Sequence, residues 1–139
     1  MFDYLKNVYI GSKVLSIVLR MAQSKLINLD FVKENSFNNT AFLKEVLEIF
    51  LQSTPGLLDE LREACGANDW DRLKKVAHKL KPQAQTFGIG ALEPILEYLE
   101  NVNPDAKNIN EVIEFVERAV GLVNEALNEV NIELHSLES

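Results

Sequence analysis

Residues 69–88 read DWDRLKKVAHKLKPQAQTFG, and their spacing decides the fold. On a wheel of about 100° per residue, Trp70, Leu73, Ala77, Leu80, Ala84 and Phe87 fall within roughly one-third of the circumference. That stripe predicts a helix from Trp70 to about Phe87 with one face in a core. Asn68 or Asp69 is placed to cap its start. Gly88 and Gly90 end it and permit a turn. His78 points some ~140° from the centre of the stripe, towards solvent. Its neighbours on that outer face are Lys74, Lys75, Lys81, Pro82 and Gln85. Arg72, Lys74, Lys75, Lys79 and Lys81 put five of the fourteen basic residues into ten positions.

Helical spacing continues on both sides, and no run shows the period-2 alternation of a strand. Upstream, a short segment around Leu29–Glu34 follows Asn28, a plausible cap. Phe42, Leu43, Val46, Leu47, Phe50 and Leu51 mark a second helix behind Asn39 or Thr40. Pro55 is expected to end that helix and open another, with Thr54 as its cap, carrying Leu57, Leu58, Leu61 and Ala64–Cys65 up to Gly66. Downstream, a helix from Ala91 to about Asn101 has Pro94 near its start. After the turn-rich NVNPDAKN, a last helix from about Ile109 to Leu134 carries Val112, Ile113, Val116, Val120, Val123, Leu127 and Val130. Short loops between amphipathic helices favour antiparallel neighbours. The expected fold is all-α, an up-and-down four-helix bundle with additional short helices.

Composition sets the outer limits. A chain of 139 residues suits one domain and buries enough surface to need no disulfide or structural metal. Hydrophobic residues make up 47%, which excludes a disordered chain, and 6 Gly with 4 Pro argue against a turn-rich β fold. A net charge of −7 makes nucleic acid a poor partner, since its binding runs on clustered positive charge. That negative charge is expected mainly on the last helices, at Glu111, Glu114, Glu117, Glu125 and Glu129. The single cysteine, Cys65, fits a reducing, cytoplasmic location. No apolar run is long enough to span a bilayer, and no membrane partner is expected. Residues 1–25 read as an N-terminal extension, either an amphipathic helix that docks on the domain or on a membrane surface or a stretch ahead of a start at Met21, with no cleavage site behind it. The bundle takes 26–134, and 135–139, with His135, form a tail.

The outer face of the His78 helix suits anion chemistry. A neutral imidazole can attack phosphorus with one nitrogen while the other is held by a partner. Lys81, one turn along, can bind the resulting phosphoryl oxygens, and Lys74 and Lys75 add a positive field. Pro82 removes the amide donor that the His78 carbonyl would otherwise meet, so the helix is expected to bend or loosen there. A lone histidine among lysines is also what an ordinary solvated helix face looks like.

The run AHKLKPQAQTFG resembles the signature of histidine-containing phosphotransfer (HPt) domains, roughly H-x-L-K-G-x-x-x-x-x-G. His78, Leu80, Lys81 and Gly88 match in type and spacing, and the resemblance extends over about Leu26 to Asn131. It implies a four-helix bundle whose histidine accepts a phosphoryl group from a receiver-domain aspartate and passes it to another receiver. It implies that His78 is the phosphoacceptor, that Lys81 stabilises the phosphoryl oxygens and that Gly88 is structural. Lys74, Lys75, Pro82 and Gln85 become the surroundings of the phosphoryl group and its partner. The chain departs from the pattern at Pro82, where the family has Gly, and Gln83 replaces a small residue.

The implied protein is a carrier rather than an enzyme, binds no cofactor itself, and relies on Mg²⁺ in the partner receiver. No Gly-rich phosphate loop supports autophosphorylation from ATP. The alternative is a helical-bundle adaptor without phosphate chemistry. A di-metal bundle would need Glu-x-x-His pairs facing inward. Lys75 stands three residues before His78 and Ile132 three before His135, which rejects that reading.

Overall fold

A computed structural model of the protein describes residues 25–103, 105 and 108–138. The expected N-terminal extension, up to residue 24, lies outside the described residues. The helices are α1 (Asp30–Asn35), α2 (Thr40–Gly66), α3 (Trp70–Thr86), α4 (Glu93–Glu100) and α5 (Ile109–Glu138), with a 3-10 turn at Gly90–Leu92 ahead of α4. No strand occurs among the described residues. Helix α2 packs on α3, α3 on α4, α4 on α5, and α5 returns to α2. That closed ring is the four-helix bundle, with α1 as the additional short helix.

Local chemistry sets the helix starts. Asn39 Oδ1 accepts from the Phe42 amide at 3.1 Å, and Asp69 Oδ1 from the Arg72 amide at 3.2 Å. Asn28 Oδ1 accepts from the Asp30 amide ahead of α1. The core takes Leu47, Phe50, Leu58 and Leu61 from α2, and Leu73, Val76, Ala77 and Leu80 from α3. Ile95, Leu96 and Leu99 of α4 and Val112, Val116, Val123 and Val130 of α5 complete it. Among the positions assigned to apolar stripes, Phe42 and Ile113 lie exposed and Val46, Leu51, Leu57, Trp70 and Leu127 only half-buried, while Ala119 and Ala126 are buried on α5. Cys65 is buried, and that burial pushes its thiol pKa up, away from reactivity.

The break expected at Pro55 does not occur: α2 is one helix of 27 residues with Pro55 inside it. Thr54 is not a cap. It is fully buried, and its hydroxyl donates to Gln83 Oε1 of α3 at 2.8 Å. The reason lies in the core. Leu47, Phe50, Thr54, Leu58, Leu61 and Cys65 keep a single helical phase across the proline. An interior proline costs about 3 kcal/mol. Each buried leucine returns roughly 1.5–3 kcal/mol, and only an unbroken helix buries all of them. At the other end, α5 runs to Glu138, one turn beyond the expected limit, and His135 lies on its exposed side with its Nδ1 2.8 Å from the Asn131 carbonyl.

Helix α3 ends against the first described residues. Gly88 has φ +63°, the left-handed region that glycine favours. A Cβ there would stand 2.6 Å from Asn28 Cβ and 2.7 Å from the Asn28 carbonyl oxygen. Glycine therefore lets residues 26–29 cross the end of α3, where the Asn28 amide donates to the Phe87 carbonyl at 2.9 Å. The same strand of chain is tied to α5 by the Leu26 amide on Glu129 and by the Lys25–Glu133 ion pair.

Candidate functional site

His78 sits near the middle of α3 with its side chain 75% exposed, as the wheel requires when Ala77 and Leu80 face the core. Its Nδ1 lies 2.6 Å from Glu100 Oε1, at the end of α4. A carboxylate only accepts, so Nδ1 carries the proton and donates. Nε2 makes no hydrogen bond among the described residues and faces solvent.

Lys81 lies one turn beyond His78 and points to the same helix α4. Its Nζ is 2.7 Å from Glu100 Oε2 and 3.1 Å from Glu97 Oε2. Glu100 thus holds His78 with one oxygen and Lys81 with the other. Its carboxyl pKa is held below the usual value, by the Lys81 hydrogen bond first and His78 second. The Lys81 ammonium pKa is raised in turn, by Glu100 and then Glu97.

The structure brings His78 and Lys81 together and adds two carboxylates that the sequence reading leaves out. Negative charge is therefore not confined to α5 but is also placed beside the histidine. A signal for this exists in the chain: Glu93, Glu97 and Glu100 share one face of α4, off the stripe of Ile95, Leu96 and Leu99 that enters the core. Lys75 and Lys79 are exposed on the outer face and Lys74 is half-buried there; no ion pair of the described residues involves them. Gln85 is exposed without a specific contact to the site. Gly88 serves the end of α3 rather than the chemistry.

Pro82 does not interrupt the helix, which stays α-helical to Thr86. Val76, Ala77, Leu80 and Ala84, buried on both sides of it, hold the segment in register. Its exposed ring helps wall an open, largely apolar groove of about 230 Å³ between α2 and α3. Val46, Ile49, Phe50, Ser53, Gln83, Thr86 and Phe87 complete the lining. Stacked Phe50 and Phe87, with centroids 4.1 Å apart, line part of it, while Ile49 is 55% exposed. The Thr54–Gln83 bond ties the same two helices together. Gln83 is thus a cross-helix fastener, which accounts for a long polar side chain where the family pattern is small.

Among the described residues no group of His, Cys, Asp and Glu could hold a metal ion, and no helix is long and apolar enough to cross a membrane. No curated protein and no solved structure matches the chain. The family model of the Hpt domain matches residues 45–138, well over half of the chain. The match takes in α3, α4 and α5 whole, with most of α2. Hpt domains are phosphotransfer carriers that work with receiver domains in phosphorelays, not classical enzymes. With a matching bundle and a histidine displayed on its outside, the chain belongs to the Hpt domain family.

Proposed function

We propose that this protein is the phosphocarrier of a two-component phosphorelay, taking a phosphoryl group on His78 from a receiver-domain aspartate and passing it to a second receiver. The observation that carries this reading is the state of the imidazole: Nδ1 is occupied by Glu100, and Nε2 is open to a visitor.

Chemistry follows from that division. The Nε2 lone pair forms the new P–N bond while the P–O bond of the aspartyl phosphate breaks and its carboxylate leaves with the electron pair. The proton on Nδ1 stays in place, and the positive charge that develops on the ring is balanced by Glu100. The transition state needs in-line approach and charge neutralisation more than proton transfer. Lys81 supplies a cation to the phosphoryl oxygens, and Lys74, Lys75 and Lys79 add an attractive field. The aspartate and its Mg²⁺ belong to the receiver. The apolar groove walled by Pro82 and Ile49, one turn from His78, gives that domain a surface to dock on. The thiol of Cys65 suits the cytoplasm as the working compartment.

The test is direct. The protein, mixed with a receiver domain carrying labelled aspartyl phosphate and with Mg²⁺, should become labelled, and the label should be acid-labile and base-stable. His78→Gln should abolish it. Label retained in that variant would refute the assignment.

A further inference from the structure

We infer that Glu97 is a positioning residue that makes His78 a better phosphoryl donor than store, by holding Lys81 through a contact that competes with the phosphoryl group. The inference rests on the phosphoacceptor reading of His78.

The two carboxylates around Lys81 are not equivalent. Glu100 touches both the imidazole and the ammonium. When Nε2 carries a phosphoryl group and Nδ1 keeps its proton, the ring is cationic and Glu100 stabilises it. The negative charge of Glu100 also repels the phosphoryl oxygens, so its effect on the loaded state is mixed. Among the described residues the Glu97 carboxylate bonds only to Lys81, at 3.1 Å, and the side chain is 65% exposed. It gains nothing from a cationic ring.

A phosphoryl group brings close to two negative charges and three acceptor oxygens. Lys81 then has two courses. If it turns to the phosphoryl group, its bond to Glu97 is lost. If it stays on the carboxylates, the phosphoryl oxygens go without the cation that would otherwise bind them. Both courses raise the free energy of phosphorylated His78 relative to the free ring, so the sign does not depend on which occurs. Lys74, Lys75 and Lys79 on the same outer face oppose the effect, but no ion pair joins them to Glu97. The carboxylate of Glu97 thereby lowers the equilibrium occupancy of the carrier and favours release to the next acceptor.

The experiment needs no cognate partner. The full chain is equilibrated with phosphoramidate and a fixed excess of ammonium, and the phosphohistidine fraction is read by ³¹P NMR. In this exchange the P–N bond of phosphoramidate breaks, ammonia leaves with the bonding pair, and Nε2 forms the new bond. Glu97→Gln should raise the ratio of phosphorylated to free protein about two- to fivefold, the factor expected of an exposed charge pair. Glu97→Asp should fall between it and the parent, and Glu125→Gln on α5 should leave the ratio unchanged. An unchanged or lowered ratio in Glu97→Gln overturns the inference while leaving the phosphoacceptor reading intact. A rise equalled by Glu125→Gln shows a bulk charge effect and also overturns it. If the parent takes no label that His78→Gln removes, the phosphoacceptor reading fails, and this inference with it.

Discussion

His78 on α3 and Glu100 at the end of α4 are joined through Nδ1 and Oε1 at 2.6 Å, across 22 residues of chain. The bond selects the ring nitrogen that faces outward. In the proposed transfer it also makes the conformation of α4 part of the chemistry of α3.

Removing that acceptor should therefore slow labelling without unfolding the bundle. Glu100→Ala is expected to reduce the initial rate of phosphoryl uptake by about tenfold, the scale of a lost hydrogen bond to a charged group. Glu100→Gln, whose amide oxygen still accepts, should retain more of it. Circular dichroism should report unchanged helicity in both. Equal rates in the parent and Glu100→Ala would remove Glu100 from the mechanism.

The same network fixes a pH window. The Glu100 carboxyl pKa is lowered from 4.5, so its contribution is present above that value and is lost as pH falls through the lowered one. The Lys81 ammonium pKa is raised from 10.5, so its contribution is present below that value and lost as pH rises through the raised one. Carboxyl ¹³C NMR should place the Glu100 midpoint below 4.5. A midpoint at or above 4.5 would mean that Lys81 and His78 do not hold it in solution.

Gly88→Ala tests the crossing of residues 26–29 over α3. The new Cβ would meet Asn28 at 2.6 Å on a left-handed backbone. A loss of about 2 kcal/mol or more is expected, read as a drop in Tm of roughly 8 °C. A change under about 2 °C would show that the crossing yields easily.

Pro82→Ala separates stability from docking. Alanine restores an amide opposite the His78 carbonyl and removes the wall of the groove. The variant should be more stable, by about 2 kcal/mol after allowing for the freer unfolded chain, and should bind a receiver domain less tightly. Unaltered receiver affinity, measured by titration calorimetry, would take Pro82 out of the docking surface.

Much of this architecture is legible in the chain because core formation leaves a periodic trace. The wheel of α3 turns His78 outward from the placement of small and large apolar residues alone. Pro55 misleads because a local rule, proline at a helix start, competes with a longer one, the unbroken phase of Leu47, Phe50, Leu58 and Leu61. In a packed bundle the longer rule wins, since it summarises more buried area. Glu97 and Glu100 escape notice for a different reason. Their spacing shows which face of α4 they share, but which helix that face meets is set by the tertiary packing of α4 on α3. Gly88 is recognisable as a helix stop, whereas its near-contact with Asn28 depends on where the chain crosses.

With Nδ1 already engaged, His78 has one vacant seat. In the proposed carrier, two receivers of the size of a domain could not occupy it together, so loading and unloading would alternate. Throughput of such a carrier would then depend on how quickly a spent donor departs, and an excess of either exchange partner in its empty form would act as a brake on the relay.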